Sequence, residues 1–519
     1  TIVGRINTTV MFNRSTRLKS LVRIVTVCLG ALAALMLTTL PALASEGGAS
    51  HVIEPNPLMI IPFVVLLLAI ALMPFISKHW WEHYYPHVAV ALGLITIVYY
   101  VFFLHNPVRM LHSGIEFFSF ICLVGSLFVV AGGMHINLKG YASPVKNTII
   151  LLFGAVLSNL VGTTGASMIL IRPFMRNNKT RLHAYHIVFF IFIVSNIGGA
   201  LTPIGDPPLF LGYLKGIPFF WVMENVWVIW ALTVAAVLAV FIAIDWYYYS
   251  KMPADVRAKQ NEAGDETKLQ GMHNIGFLLV ILVSVFIQDP PYVREVIMIL
   301  AAAGSYFTTK KHVHEANDFN FLPIKEVGFL FLGLFATMVP ALDWLELNAA
   351  SLGITAPGQF YWGTGALSSF LDNAPTYLNF LSAEIGLLVR PELITQVQEV
   401  IANGALQAPN FAQYSQEVRT TVETLVHYHG QMVASGNVPL SDIQVSYLIS
   451  MHDVYVMAIS IAAVFFGAMT YIGNAPNFMV KSIAEQAGAK MPSFFGYMIR
   501  FSLPVLLPIF ILVWLLFFN

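Results

Sequence analysis

Long apolar stretches alternate with short polar segments along the 519-residue chain. A helix needs roughly 20 apolar residues to cross the hydrocarbon core of a bilayer. By this criterion, the pattern predicts membrane-embedded segments at 57–76, 88–104, 115–134, 148–171, 183–212, 220–244, 273–289, 295–308, 326–343, 359–388, 447–480 and 494–518. The pattern therefore predicts an all-α polytopic membrane protein.

The composition supports a membrane class and excludes several others. Hydrophobic residues make up 57% of the chain and charged residues 10%, whereas soluble domains carry roughly 25% charged residues. Two cysteines are too few for a disulfide-stapled scaffold. The net charge of +0 gives no reason to expect a nucleic acid as a partner. The lipid bilayer is therefore the expected environment of the chain.

The first segment, residues 1–44, has the features of a signal peptide. An apolar stretch at 24–40 leads to the small-residue pattern Ala42-Leu43-Ala44, which is typical of a cleavage site. The basic region directly before the apolar stretch contains Arg14, Arg17, Lys19 and Arg23. The alternative is an uncleaved first transmembrane helix.

Two of the predicted segments, 148–171 and 359–388, are interrupted in the middle by Gly, Thr, Asn or Pro. Basic residues flank the first of them on both sides, with Lys146 before it and Arg172 and Arg176 after it. Because basic loops stay on the cytoplasmic side, a segment with basic loops at both ends enters and leaves from one face. The pattern predicts that both segments are re-entrant hairpins.

The basic residues then predict the topology. With two hairpins and a periplasmic mature N-terminus, most basic residues are cytoplasmic, and those facing outside are Arg109, Lys215, Arg294, Arg390 and Arg419. Each half has five transmembrane helices and one hairpin in opposite orientations, which is the inverted-repeat plan of secondary transporters. The predicted parts are a first repeat at 57–244, a cytoplasmic linker at 245–272 and a second repeat at 273–519. The C-terminus is also predicted to be periplasmic, in a bacterial inner membrane.

An internal repeat is visible in the residues themselves. Residues 202–210 read TPIGDPPLF and residues 470–478 read TYIGNAPNF, with five of nine positions identical at an offset of 268. Each motif lies in a predicted broken helix, at 183–212 and 447–480. Backbone unwound by Gly and Pro at membrane depth is tolerated where it lines a cavity, and there it can bind ions. The alternative is a pair of proline-kinked packing helices.

Short oxygen-bearing side chains are concentrated at the hairpin tips and the breaks. Such side chains are the hard ligands that suit Na⁺ and similar cations. Asp206 and Asp372 are the acidic groups that we expect near the membrane midplane, where an ionisable residue indicates function. The other candidates are Ser158, Asn159, Thr163, Thr164, Asn196, Thr202, Asn373, Thr376 and Asn474.

The remaining ionisable residues do not indicate an enzyme. The histidine pairs His79/His83 and His312/His314 have no third metal ligand in register. A phosphate-binding loop of the G-x-x-x-x-G-K-[ST] form is absent, so ATP-driven transport is not supported. Four acidic residues near the span ends are expected to reach water: Glu116, Asp289, Asp343 and Glu384.

The motifs DNAPT at 372–376 and GGALTPIGDPP at 198–208 resemble those of the ion transporter superfamily. Within it, the chain from residue 57 onward is similar to NhaD-type sodium/proton antiporters and to the CitMHS-like group of citrate transporters. The resemblance implies a homodimer with a scaffold domain and a transport domain that carries the hairpins and broken helices. It implies no cofactor, only transported ions such as Na⁺ and H⁺.

Two departures from this resemblance matter. Ser158-Asn159 stands where the antiporters tend to have an Asp-Asn pair, and it is closer to the hairpin tips of sodium-coupled carboxylate transporters. The polar stretch 389–446 is an insertion, which we place in the periplasm, where its helical parts could cover the second hairpin.

Three transport activities are compatible with these residues. In sodium/proton antiport by alternating access, Asp206 and Asp372 would bind either Na⁺ or a proton but not both. In sodium-coupled citrate or dicarboxylate uptake, Ser158, Asn159 and the region of Asn474 would face the substrate carboxylates. Arsenite efflux is the weaker third alternative.

Overall fold

A computed structural model describes residues 53–137, 142–252, 268–287, 290–317, 319–408 and 410–519. The predicted signal segment 1–44, most of the predicted linker 245–272 and Asp289 lie outside these residues.

The first half of the described chain is built from apolar helices. In chain order they are α1 (Ile61–Ile76), α2 (Lys78–Val98), α3 (Pro107–Gly132), α4 (Pro144–Asn177), α5 (Ala184–Ile193), α6 (Pro207–Leu214) and α7 (Trp221–Ser250). A π-helical turn at Tyr99–Phe103 extends α2, and short 3-10 turns occur at Pro57–Ile60 and Ile197–Gly199. Strand β1 (His135–Asn137) pairs antiparallel with β2 (Lys268–Gln270) of the second half.

The second half continues with α8 (Asn274–Ser284), α9 (Val293–Thr308), α10 (Lys311–Ala316), α11 (Leu322–Asn348), α12 (Pro357–Ser368), α13 (Asn373–Leu388), α14 (Pro391–Ala402), α15 (Gln416–Ser435), α16 (Leu440–Met451), α17 (Asp453–Phe466), α18 (Ala475–Gln486), α19 (Phe494–Tyr497) and α20 (Leu507–Phe517). A π-helical stretch, Met498–Leu506, joins the last two. The 3-10 turns are Ala349–Leu352, Ala405–Gln407, Phe411–Gln413 and Gly467–Met469. The all-α class is confirmed, since only two three-residue strands interrupt the described helices.

Seven helices of the described chain are long and apolar enough to cross a membrane, or eight if α16 and α17, bent by 101°, count as one span. This number is below the ten predicted crossings. Some predicted spans are short, such as the 11-residue α8, and others are broken in the middle, such as 183–212. Helix α4 also counts among the seven, although it folds back on itself.

Helix α4 is a hairpin rather than one straight helix. Its Gly162 has φ 77° and ψ 156°, a conformation that glycine adopts readily and other residues avoid. A straight helix would hold Asn147 and Asn178 roughly 45 Å apart. Instead, the two side-chain amides exchange two hydrogen bonds of 2.9 Å. The two arms of α4 therefore begin and end at the same side of the molecule.

A buried ion pair fixes the open end of this hairpin. Arg181 donates to both carboxylate oxygens of Asp245 on α7, at 2.6 and 2.8 Å. Asp245 also accepts hydrogen bonds from Tyr185 and Asn147. Breaking such a buried pair by removing one partner typically costs several kcal/mol. This network ties the hairpin to α7.

The second hairpin consists of α12 and α13, joined by residues 369–372. The rings of Phe360 and Phe380, one on each arm at similar distances from the turn, have centroids 6.1 Å apart. The side chain of Asp372 caps α13 by accepting a hydrogen bond from the Ala374 backbone. The arms thus run side by side from a tip at Asp372.

The breaks in the two helices are held by equivalent contacts. Thr202 Oγ1 donates to the Asn159 carbonyl (2.7 Å), and Thr470 Oγ1 donates to the Ser369 carbonyl (2.6 Å). Gly205 lies against the Gly199 carbonyl as Gly473 lies against the Gly467 carbonyl. In each half, the break is therefore fastened to its own hairpin tip in the same way.

The insertion contains α14, α15 and α16, whose apolar side chains form a cluster of their own around Val397, Val418 and Leu425. Helix α16 continues from the insertion to Met451, and the chain bends at His452 before α17 begins. The polar pair His452-Asp453 lies at this bend.

Candidate ion-binding site

Asp206 lies at the start of α6, where the broken helix resumes after its interruption. Pro207 occupies the first helical position, which suits a proline because that position needs no backbone N–H. The Asp206 side chain is fully buried, with 0% of its surface exposed. The short helix α6 therefore begins at the residue that follows the buried carboxylate.

Three neutral donors hold this carboxylate. Thr163 Oγ1 donates to Oδ1 at 2.8 Å, and Asn474 Nδ2 donates to the same oxygen at 3.2 Å. Asn373 Nδ2 donates to Oδ2 at 3.0 Å. These donors come from the first hairpin, the second broken helix and the second hairpin. All four predicted structural features therefore converge at one carboxylate.

Asp206 and Asn474 occupy equivalent positions of the two motifs, and they contact each other directly. Each precedes the first residue of a half-helix, α6 and α18 respectively. The N-terminus of a helix carries a partial positive charge, which favours a negative group. The contact places both half-helix N-termini at the same carboxylate.

A second layer of amides and hydroxyls orients the donors. Asn196 Nδ2 donates to Asn477 Oδ1 at 2.6 Å, and Asn196 Oδ1 accepts from Asn474 at 3.5 Å. Ser368 Oγ donates to Asn373 Oδ1 at 2.7 Å, which directs the amide nitrogen of Asn373 toward Asp206. Sequence reasoning missed Asn477 and Ser368. Asn477 replaces an apolar residue, Leu209, of the other motif, and that mismatch was the available signal.

Asp372 lies at the second hairpin tip but is not a direct partner of Asp206. Its carboxylate is half-buried and accepts a hydrogen bond from the Ala374 backbone N–H at 3.1 Å. The neighbouring residue, Asn373, makes the contact with Asp206. The tip therefore supplies one amide to the site and one partly accessible acid beside it.

The other predicted residues brace the backbone around the site. Ser158 donates to the Val194 carbonyl, and Asn159 binds the Gly198 carbonyl and the Leu201 N–H. Thr202 holds the first tip, as described above. Thr376 donates to the Asp372 carbonyl within α13. Thr164 is half-buried next to Thr163 on the same arm.

The charge of Asp206 has no ionic counterpart in the described part of the chain, where no Lys, Arg or His pairs with it. A buried carboxylate without a positive partner is costly to maintain. Rotation of an amide or hydroxyl changes whether it offers a hydrogen or an oxygen. The same side chains can therefore donate to the carboxylate or turn their oxygens toward a cation.

The acids near the span ends behave differently from the prediction. Asp343 is buried and paired with Arg109 at 2.7 Å, so the expectation that it reaches water is wrong. Glu384 is fully buried, and the same expectation is wrong for it. Glu116 is partly exposed and paired with Lys215 at 2.6 Å. Burial of the first two reflects packing between helices, which hydropathy does not report.

Comparison with known proteins supports a transporter. A family model described as putative citrate transport matches residues 54–518, nearly all of the chain after the predicted signal segment. A comparison with curated proteins gives no significant match. Within the described residues, no group of three or more His, Cys, Asp or Glu side chains is arranged to hold a metal ion.

Proposed function

The chain belongs to the family described as putative citrate transport, and we propose that this secondary transporter exchanges Na⁺ for H⁺ across the membrane. The observation that carries the proposal is the buried carboxylate of Asp206, which contacts neutral donors from three separate elements. Such a group needs either a cation or a proton to offset its burial.

Competition between Na⁺ and H⁺ for the Asp206 carboxylate would couple the transport of the two ions. A proton on Asp206 removes the charge that attracts Na⁺, and bound Na⁺ disfavours protonation. Asn474, Asn373 and Thr163 would turn their oxygens toward the ion when it binds. Asp372, beside the site and half-buried, would serve as the second ionisable group. Binding one ion or the other, never both, is the requirement for an exchanger.

The arrangement of hairpins and half-helices supports alternating access. In transporters with inverted repeats, one domain rocks against the other around a fixed midplane site. We infer that the two hairpins and the two broken helices move together and that the protein works as a homodimer. The distribution of basic residues supports an inner-membrane orientation with both mature termini in the periplasm.

Everted membrane vesicles provide the test. Addition of Na⁺ to vesicles with an established proton gradient should collapse that gradient for the wild-type protein. Asp206→Asn and Asp372→Asn should abolish this response because each removes an ionisable group of the site. Glu392→Gln, an exposed residue of α14, is the matched control and should keep the response. Wild-type exchange by both Asp variants would reject the proposal.

A second candidate is sodium-coupled citrate or dicarboxylate transport, and the family description favours it. Here Na⁺ would neutralise Asp206 and thereby allow a substrate carboxylate to approach the amides of Asn159 and Asn474. Uptake of labelled citrate driven by a Na⁺ gradient distinguishes the candidates. Sodium-dependent uptake would favour this activity, whereas Na⁺/H⁺ exchange without citrate uptake would exclude it.

A further inference from the structure

Glu384 lies on α13, the helix that begins at the tip of the second hairpin. Its side chain is fully buried, and neither carboxyl oxygen has a hydrogen-bond partner among the described residues. A carboxylate in this situation would carry the full cost of desolvation. A neutral, protonated carboxyl group avoids most of that cost. The surroundings of Glu384 therefore favour the acid form.

Glu384 is also connected to the ion site along one face of α13. Asn373, Tyr377 and Glu384 are separated by four and seven residues, spacings that place them on the same side of a helix. All three are buried. Asn373 donates directly to Asp206 at 3.0 Å. A row of polar groups therefore runs from the site toward the end of α13 that leads into the insertion.

Tyr377 fills the middle of this row. A Cβ atom on Gly212 of α6 would come within 2.6 Å of the Tyr377 hydroxyl, so the hydroxyl lies against the half-helix that Asp206 begins. The Ser460 hydroxyl of α17 is also close to the Tyr377 hydroxyl. Neither hydroxyl has a hydrogen-bond partner of good geometry in the described chain. Each hydroxyl therefore has an unused donor and an unused acceptor among the described residues.

No basic group faces Glu384 from the described helices packed against α13. The titratable groups with which it interacts are Tyr377 and Tyr455, both neutral at physiological pH. Glu346 of α11 touches α13 through its backbone, at Gly386, while its carboxylate accepts a hydrogen bond from Gln444. Nothing nearby in these helices supplies a positive charge to an ionised Glu384.

We propose that Glu384 is a further proton-binding residue, outside the Asp206 site, which holds a proton in this conformation and passes it through Tyr377 to that site. When Na⁺ leaves, the proton on the Glu384 carboxyl moves along the hydroxyls to the vacated carboxylate, and Glu384 is reloaded from the insertion end of α13. The relay rests on the proposed exchange activity, whereas the protonation state of Glu384 does not.

Infrared difference spectroscopy on the purified full-length protein tests the protonation state. The wild-type minus Glu384→Gln spectrum at neutral pH should contain the carbonyl stretch of a protonated carboxylic acid. The wild-type minus Glu392→Gln spectrum, for an exposed glutamate, should contain only carboxylate bands. A spectrum with carboxylate bands alone for Glu384→Gln would overturn the proposal. If the Gln variant does not fold, Glu384→Met replaces it in the difference spectrum, because methionine is apolar and similar in size to glutamate.

Proteoliposomes test the relay. Glu384→Gln should keep exchange of labelled Na⁺ for unlabelled Na⁺, because the ion site is intact. Its Na⁺/H⁺ exchange should fall by about 100-fold, the scale of losing a positioned proton-transfer group. Na⁺/H⁺ exchange at the wild-type rate would overturn the relay. If the wild-type protein itself lacks Na⁺/H⁺ exchange, the proposed function fails, and the infrared result still decides whether Glu384 holds a proton.

Discussion

Asp206 is the residue on which the candidate site converges. Its carboxylate is fully buried, yet its direct partners are two amides and one hydroxyl rather than a basic side chain. Neutral donors stabilise the negative charge without occupying the place of a cation. A permanent salt bridge, such as Arg109–Asp343, serves structure instead, because its charge is already compensated.

The direct contact from Asn474 leads to a first prediction. Asn474→Ala removes the amide oxygen that would turn toward Na⁺, and polar contacts to a charged group contribute about 1.5–3 kcal/mol, so Na⁺ affinity should fall by about 10-fold or more. Isothermal titration calorimetry on purified protein measures this change. Asn379→Ala is the control, since among the described residues the Asn379 side chain donates only to the Pro375 carbonyl of its own helix. Equal affinities of Asn474→Ala and wild type would exclude Asn474 from the site.

Among single residues, the sequence predicts the members of the candidate site where a polar residue interrupts an otherwise apolar segment. Asp206, Asn373, Asn474 and Thr163 were predicted and converge. The sequence predicts Asp372 as an equal partner of Asp206, but the Asp372 side chain points to its own helix N-terminus because of the turn at the tip. The sequence also predicts that Glu384 reaches water, which is wrong because neighbouring helices bury it and its position in one helix does not show them.

The breaks in the helices depend on close backbone contacts. A Cβ atom on Gly205 would overlap the carbonyl oxygen of Gly199. Gly205→Ala should therefore destabilise the fold by about 1–3 kcal/mol, the usual cost of overpacking, and lower the melting temperature in detergent. Gly276→Ala is the matched control because nothing lies within 4 Å of its added methyl group. The same melting temperature for both variants would contradict the described contact.

The folded-back shape of α4 gives a prediction that is independent of function. Asn147→Cys and Asn178→Cys, combined with Cys122→Ala, should form a disulfide on oxidation, because the two native side chains are in direct contact. Proteolysis between the arms followed by gel electrophoresis detects the link. Either cysteine alone should leave the fragments separate. Failure of the double variant to crosslink would indicate a straight membrane-crossing helix.

Among the elements, hairpins and breaks were predictable because Gly, Pro and Asn interrupt otherwise apolar stretches. Gly162, with its positive φ, is such an interruption. The bend at His452 coincides with the polar pair His452-Asp453 between α16 and α17. The packing of α16 with the insertion was not predictable, because Tyr447 joins the insertion cluster through residues distant in the sequence.

In the whole molecule, the two copies of the repeated motif meet at the candidate site. The motif offset of 268 residues was visible in the sequence, and the structure shows that its two central residues, Asp206 and Asn474, contact each other. The sequence could not reveal this contact, because equivalent positions of a repeat can also lie far apart. This arrangement suits the proposed exchange mechanism, because a single central carboxylate can be exposed to one side of the membrane and then to the other.

Proton release on Na⁺ binding is the most direct test of competition at Asp206. NaCl is added to weakly buffered, detergent-purified protein at a pH where the site is protonated, and the pH change is followed with a dye against a choline chloride control. Wild-type protein should release protons as Na⁺ binds, and Asp206→Asn should release none. Na⁺ binding by the wild-type protein without proton release would contradict the account.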